Sequence, residues 1–268
     1  MDAPGGRRRG GDPRALGGRG KEPEEPRVHH GVIVAGTLDK PRISFFFPAC
    51  NEERTVEELA RRADKVLREI ASEHEIIIVD DGSTDRTGEI ADALARENRR
   101  IRVIHHPQNR GYGVALRSGF AAARLDLVFY TDGDLQFDVA ELAKLIPLIK
   151  EADIVSAYKI RRMDGWERRV VSWVYNTTLR VFFGLPVRDV NCGFKLYRRE
   201  VFERITLRST RGLIDAEVLL KARQAGFRIA QIGVTHFRRR EGGSRYRVRE
   251  IVQTITQMVG LWRELHQS

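Results

Sequence analysis

Leu127-Val128-Phe129-Tyr130-Thr131-Asp132-Gly133-Asp134-Leu135-Gln136 joins a mostly apolar segment to two aspartates and a glutamine. Its apolar half predicts a buried β-strand, and two carboxylates follow directly at the carboxyl end of that strand. Asp132 and Asp134, with the amide oxygen of Gln136, are hard oxygen ligands of the kind that Mg²⁺ or Mn²⁺ takes alongside a phosphate-bearing substrate. An isolated Asp-x-Asp is also common in polar turns, so the metal interpretation depends on the rest of the chain.

Two earlier apolar segments end in polar residues in the same way. Residues 42–47 and 75–79 are short and β-prone, and residues 48–53 and 80–85 follow them with acidic and polar side chains. Apolar residues at helical spacing come after each of these loops. This alternation predicts an α/β fold, a Rossmann-like, mostly parallel sheet with helices on both faces. Ligands bind beyond the carboxyl ends of strands in such sheets, so we expect the three loops to converge on one crevice.

The same patterns predict the remaining elements and the division of the chain. Strands are expected at residues 101–104, 154–156, 192–197 and 228–234, and helices at residues 139–149, 166–183, 214–225 and about 248–265. We predict three parts: a disordered Gly-, Arg- and Pro-rich tail at residues 1–40, a single catalytic domain at residues 41–247, and a C-terminal amphipathic helix at residues 248–268.

The net charge of +10 is unevenly placed along the chain. Lys and Arg greatly outnumber Asp and Glu after residue 158, whereas the part before it is slightly acidic. This distribution indicates an anionic partner for the C-terminal part, and nucleic acid, acidic lipid headgroups and phosphorylated substrates all have the required charge. A nucleic-acid-binding protein would leave the acidic strand ends unexplained, so we expect no nucleic acid partner.

The cysteine content and the hydropathy of the chain indicate the cellular compartment in which we expect the protein. Cys50 and Cys192 are the two cysteines of the chain, and they form neither a metal-binding spacing nor a disulfide framework. A reducing compartment is therefore the default. No segment reaches the roughly 18–20 uninterrupted apolar residues of a membrane span. We expect a cytoplasmic protein, either soluble or bound peripherally at the cytoplasmic face of the membrane.

The acidic strand ends suit a nucleotide diphosphate. Asp132 and Asp134 can hold one divalent cation that bridges two phosphates, and Gln136 can add a neutral oxygen ligand. Glu52 and Asp81 follow the first two strands, where they can accept hydrogen bonds from a base or a ribose. The chain has no G-x-x-x-x-G-K-[ST] phosphate loop and no complete dinucleotide fingerprint. Phosphate binding is therefore expected from the metal and from basic side chains.

Five motifs occur in a fixed order along the chain. They are Phe47-Pro48-Ala49-Cys50-Asn51-Glu52-Glu53, Val79-Asp80-Asp81-Gly82-Ser83-Thr84-Asp85, Asn109-Arg110-Gly111-Tyr112-Gly113, Asp132-Gly133-Asp134-Leu135-Gln136 and Asn191-Cys192-Gly193-Phe194-Lys195-Leu196-Tyr197. Together they resemble family 2 glycosyltransferases of the GT-A fold. Within that family the chain is most similar to the dolichyl-phosphate mannose synthase and polyprenyl-phosphate glycosyltransferase group. The likeness covers roughly residues 42–247.

The resemblance implies an inverting, metal-dependent transfer of a hexose to a polyprenyl or dolichyl phosphate. The donor is implied to be a nucleotide diphosphate sugar of the GDP-mannose or UDP-glucose type. The metal, Mg²⁺ or Mn²⁺, is implied to bind Asp132, Asp134 and Gln136. The resemblance implies that the nucleotide-sugar pocket is lined by Pro48, Ala49, Cys50, Glu52, Val79, Asp81, Asp132, Gly133, Asp134 and Gln136.

The C-terminal part is implied to supply the phosphate-binding cations. Lys159 takes a position that is usually Arg in this family, and Arg239, Ser244 and Arg245 match an R-x-x-G-x-S-K pattern with Arg in place of Lys. These residues would clamp the acceptor phosphate and the diphosphate. Asp189 falls at an acidic position close to the implied reaction centre. Cys50 replaces an aromatic residue that is common in the family, so we expect base stacking to differ.

Three other functions compete with this interpretation. A GT-A transferase with a hydroxyl acceptor, such as a polysaccharide, glycolipid or small molecule, would need a general base, for which Asp189, Asp215 and Glu217 are candidates. A nucleotidyltransferase would release pyrophosphate instead of a nucleoside diphosphate. A nucleic-acid-binding protein would bind DNA or RNA in a salt-dependent way.

Overall fold

A computed structural model describes residues 40–160 and 166–238, and for residues 166–171 it describes the backbone alone. The tail predicted at the N-terminus, up to residue 39, and the predicted C-terminal helix lie outside the described residues. Arg239, Ser244 and Arg245 also lie outside them.

The described residues alternate between strands and helices along the chain. The strands are β1 (Arg42–Ala49), β2 (Glu73–Asp80), β3 (Ile101–His105), β4 (Leu127–Thr131), β5 (Ile154–Lys159), β6 (Phe194–Arg198) and β7 (Ile229–Val234). The α-helices are α1 (Val56–Ile70), α2 (Thr87–Glu97), α3 (Tyr112–Ala122), α4 (Trp166–Phe183), α5 (Glu200–Arg204) and α6 (Ile214–Gln224).

The seven described strands form one sheet in the order β3-β2-β1-β4-β6-β5-β7. β6 runs antiparallel to β4 and β5, and the other neighbouring strands are parallel. The prediction of a mostly parallel sheet is therefore confirmed. Because β6 is antiparallel, its first residue, Phe194, pairs with Thr131 at the carboxyl end of β4. The loop before β6 is thereby brought to the same edge as the Asp-Gly-Asp turn.

Both faces of the sheet are covered, which accounts for the nearly continuous apolar sequence of the strands. Successive side chains of β1 point to opposite faces. Phe45 and Phe47 pack in one buried cluster with Leu59 of α1, whereas Phe46 packs in a second cluster with Phe120 of α3. The central strands are thus fixed on both sides, and the loops that follow them start from rigid positions.

Residues 139–149 do not form the single α-helix that the apolar spacing predicted. They form two short 3₁₀ helices, Val139–Lys144 and Leu148–Lys150. Pro147 lies between the two, and its ring and missing N–H prevent a continuous helix. Asp138 caps the first one by accepting a hydrogen bond from the Ala140 N–H at 3.0 Å.

Several predicted strand boundaries also differ from those observed; β5, for example, extends to Lys159 instead of residue 156. β1 continues through Pro48 to Ala49, where the proline is tolerated because pairing with β4 has already ended at Phe46. β6 begins at Phe194 instead of residue 192, which leaves Cys192 and Gly193 in the loop beside β4.

Candidate active site

The Asp-Gly-Asp turn packs against the loop that follows β1. A Cβ atom at Gly133 would lie 2.6 Å from the carbonyl oxygen of Pro48, so the close approach requires glycine. The Thr55 hydroxyl donates a hydrogen bond to the Gly133 carbonyl at 2.9 Å. The Gln136 N–H in turn donates to Asp134 Oδ1 at 3.2 Å. The first and third of the three predicted loops therefore meet, as the parallel sheet required.

Asp132 is held between α3 and the loop before β6. The Tyr112 hydroxyl donates to Asp132 Oδ1 at 2.9 Å, and the Asp132 N–H donates to the Gly193 carbonyl at 3.3 Å. A Cβ at Gly193 would lie 2.2 Å from Asp132 Oδ2, so only glycine leaves room for the carboxylate. The carboxylate thus has contacts on two sides.

Burial, followed by the negative charges of Asp134 and Asp215, raises the pKa of Asp132 to about 7. The hydrogen bond from Tyr112 and the positive charge of Lys159 act in the opposite direction. The negative charges of Asp134 and Asp215 thus repel that of Asp132, and the charge of Lys159 offsets part of this repulsion. A divalent cation would relieve this repulsion, so the donor set fits a metal.

The metal would have to share its coordination sphere with a substrate. Within residues 40–160 and 166–238, no cluster of three or more His, Cys, Asp or Glu side chains could hold an ion by itself. Two carboxylates and an amide oxygen leave positions for phosphate oxygens or water, as Mg²⁺ sites on nucleotide substrates do. Gln136 donates its amide N–H to the Phe237 carbonyl at 3.1 Å, which orients its side chain.

The start of the predicted cationic loop lies beside Gln136. The Phe237 N–H donates to the Gln136 carbonyl at 2.8 Å, and Phe137 forms an antiparallel bridge with His236. The chain therefore passes the Asp-x-Asp turn immediately before Arg238. The residues that match the R-x-x-G-x-S-K pattern begin at the next position, outside the described residues.

The loops after β1 and β2 are tied together by hydrogen bonds. The Asn51 N–H donates to Ser83 Oγ at 3.0 Å, and the Thr84 N–H donates to Asn51 Oδ1 at 2.8 Å. The Glu52 N–H donates to Thr87 Oγ1 at 2.8 Å. The first and second predicted loops are thus joined at the carboxyl ends of β1 and β2.

The candidate nucleotide-binding residues differ in exposure. Ala49 and Val79 are buried at the ends of β1 and β2, whereas Pro48, Cys50 and Glu52 are partly exposed. Contact between these residues and a nucleotide stays a prediction.

Asp81 has an internal role that the sequence did not reveal. It is buried, and its Oδ1 lies 2.6 Å from His106 Nδ1 and accepts the Arg110 N–H at 2.9 Å. Its Oδ2 accepts the Gly111 N–H at 2.9 Å. The carboxylate therefore fixes the turn that starts α3. Its proposed hydrogen bond to a base or ribose stays a prediction.

A buried ion pair lies behind the Asp-Gly-Asp turn. Lys195 Nζ lies 2.6 Å from Asp215 Oδ1, donates to the Cys192 carbonyl at 2.6 Å and donates to the Tyr130 hydroxyl oxygen at 3.0 Å. The Tyr130 hydroxyl donates to Asp215. Lys195 belongs to the last of the five sequence motifs, and its buried pairing with Asp215 was not among the predicted site contacts. A lysine inside an otherwise apolar strand is the feature that could have indicated a buried partner.

The three candidate general bases have different surroundings. Asp215 is engaged by Lys195, and buried Glu217 accepts backbone N–H groups from Arg208 at 2.8 Å and Ser209 at 2.7 Å. Asp189 is buried next to Cys192, whose N–H donates to the Asp189 carbonyl at 3.2 Å. Burial, with the negative charge of Asp189, raises the pKa of the Cys192 thiol. Asp215 and Glu217 thus make contacts within the protein, and Asp189 lies in the loop that leads to β6; the role of each as a general base stays a prediction.

Residues 44–206 match the family described as "Glycosyl transferase family 2". Glycosyltransferase AglD of Haloferax volcanii is 36% identical over 75% of this chain and 34% of its own length. Dodecaprenyl-phosphate galacturonate synthase of Rhizobium johnstonii is 28% identical over 85% of this chain and 69% of its own length. The match to AglD therefore spans about a third of that relative.

Solved structures share the architecture at low sequence identity. Glucosyl-3-phosphoglycerate synthase from Mycobacterium tuberculosis, solved with Mn²⁺, uridine diphosphate and phosphoglyceric acid, superposes with a TM-score of 0.66. The two chains are 22% identical, and the match covers 84% of this chain and 78% of that one. The ordered motifs, the sheet and the family match agree, and the chain belongs to glycosyl transferase family 2, with a GT-A fold.

Proposed function

We propose that the protein transfers a hexose from a nucleoside diphosphate sugar to a polyprenyl phosphate, with inversion at the anomeric carbon. The observation that carries the proposal is the pair Asp132 and Asp134 at the end of β4, next to the joined loops after β1 and β2. Membership of a sugar-transferring family supports the reaction type. The name of the dodecaprenyl-phosphate relative supports the acceptor.

The side chains around the crevice have complementary roles in this proposal. Pro48, Cys50 and Glu52 line the nucleotide pocket, and Lys159 holds the diphosphate. A divalent cation, Mg²⁺ or Mn²⁺, bound by Asp132, Asp134 and Gln136 with the diphosphate, would neutralise the charge that develops on the leaving group.

A phosphate acceptor requires cationic side chains that bind it and does not require a general base. A phosphate monoester has its second pKa at about 6, so a polyprenyl phosphate is largely dianionic at neutral pH. It can therefore attack the anomeric carbon of the sugar without first losing a proton. Asp189 therefore acts by its charge or by positioning. Arg239, Ser244 and Arg245 follow directly on the segment beside Gln136, which supports their role as a clamp on the acceptor phosphate.

A lipid acceptor requires contact with a membrane surface. Trp173, Val174, Val181 and Phe182 of α4 are exposed apolar side chains, and Arg180 of the same helix is also exposed. We propose that this helix contacts an anionic bilayer at its cytoplasmic face. No helix within residues 40–160 and 166–238 is long and apolar enough to span a bilayer.

Incubation of the purified protein with a panel of nucleotide sugars, Mn²⁺ and anionic vesicles that contain polyprenyl phosphate tests the proposal. A glycosyl phospholipid in the organic phase, with none formed from polyprenol, is the expected result. Product from polyprenol or from a soluble sugar would favour the transferase with a hydroxyl acceptor. Release of pyrophosphate would favour a nucleotidyltransferase. No product with any donor and acceptor would contradict the proposal.

A further inference from the structure

We propose that Tyr112 is a positioning residue for Asp132, and that its hydroxyl sets the carboxylate for metal binding. The inference rests on the proposed metal-dependent function, which it deepens. Tyr112 lies outside the Asp-x-Asp motif, at the first position of α3.

The contact between the two side chains is specific to one oxygen. The Tyr112 hydroxyl donates to Asp132 Oδ1 at 2.9 Å, whereas Oδ2 packs against Gly193. A carboxylate held on both sides cannot rotate freely about its side-chain torsions.

Tyr112 itself is fixed by backbone contacts on both sides. The Gly111 N–H donates to Asp81 Oδ2 at 2.9 Å, and the Gly113 N–H donates to the Thr210 carbonyl at 3.2 Å. A Cβ at Gly113 would lie 2.5 Å from the Thr210 carbonyl carbon, so the helix start and the segment before α6 are in close contact. The phenol therefore approaches Asp132 from a rigid support.

The hydrogen bond from Tyr112 to Asp132 should affect the affinity of the site for its metal. Groups that hydrogen-bond to a metal ligand orient it, and their loss typically weakens metal affinity by about 10–100-fold. A tyrosine that served only to fill space would leave the metal affinity unchanged when its hydroxyl was removed.

The test measures Mn²⁺ affinity by electron paramagnetic resonance, with a saturating nucleoside diphosphate, for wild type, Tyr112→Phe and Tyr197→Phe. Tyr197 is the matched control because it is buried and its hydroxyl has no hydrogen-bond partner among the described residues. We expect Tyr112→Phe to bind Mn²⁺ at least about 10-fold more weakly than wild type. Tyr197→Phe should bind it with wild-type affinity. Thermal unfolding midpoints report on the fold of each variant.

The outcomes separate this inference from the function on which it rests. Wild-type affinity in Tyr112→Phe overturns the inference and leaves the proposed function standing. A lowered unfolding midpoint with unchanged Mn²⁺ affinity assigns the hydroxyl to stability and also overturns it. A wild-type protein that binds no Mn²⁺ overturns the metal site itself, and the inference with it.

Discussion

Substitution of Lys195 by Met should destabilise the protein strongly. Both partners of the Lys195–Asp215 pair are buried, with 0% and 4% of their side chains exposed. Met retains most of the apolar stem but leaves the Asp215 carboxylate without its cation, and removal of one partner of a buried pair costs about 3–5 kcal/mol.

The effect is measured by urea unfolding followed by tryptophan fluorescence. A loss of about 3–5 kcal/mol corresponds to a fall of roughly 6–20 °C in the melting temperature of a domain of this size. The double variant Lys195→Met/Asp215→Leu leaves no unpaired buried charge. It should therefore recover most of the lost free energy of unfolding.

An exposed ion pair provides the control. Arg61 lies 2.8 Å from Glu57 on α1, and about half of each side chain is exposed, at 54% and 55%. Arg61 also lies 2.8 Å from the exposed Glu97, so Arg61→Met breaks two exposed ion pairs and should cost at most about 1 kcal/mol. A Lys195→Met protein as stable as Arg61→Met would refute the assignment of a buried, charge-compensated pair behind the active site.

The other predictions concern a turn, a buried carboxylate and the metal ligands. Gly82→Ala should lower the melting temperature sharply, because Gly82 has φ +67° and its Cβ would lie 2.2 Å from Gln108, whereas Gly212→Ala should not. Burial raises the pKa of Glu75, but the hydrogen bonds it accepts outweigh this and lower the pKa below 4.5. Its contribution to stability is therefore present above that pH and lost as the pH falls, and Glu75→Gln should flatten acid unfolding followed by circular dichroism. Asp134→Asn should abolish metal-dependent transfer with an unchanged circular dichroism spectrum, whereas Asp126→Asn, at an exposed carboxylate, should transfer at the wild-type rate.

The strands that carry the site could be predicted from the sequence. Each central strand is an uninterrupted apolar segment followed by acidic or polar residues, and parallel strands place such ends at one edge. The convergence of Pro48, Asp81 and Asp132 follows from that pattern. The break between the two 3₁₀ helices could also have been anticipated, because Pro147 interrupts the apolar spacing.

Long-range partners could not be predicted. Nothing in the local pattern of β6 indicates that it inserts antiparallel between β4 and β5, and this insertion is what brings Gly193 against Asp132. Asp215 lies 20 residues from Lys195 along the chain, so their pairing depends on the packing of α6 on the sheet. The contact of Tyr112 with Asp132 likewise depends on the placement of α3.

The proposed transfer to a lipid phosphate is tested by the product stoichiometry of a single reaction. The purified protein, its preferred nucleotide sugar, Mn²⁺ and polyprenyl phosphate should yield glycosyl phospholipid and nucleoside diphosphate in equal amounts. Chelation of the metal by EDTA should stop the formation of both products, and added Mn²⁺ should restore it. Transfer that continues undiminished in EDTA, or nucleoside diphosphate released without lipid-linked sugar, would contradict the account.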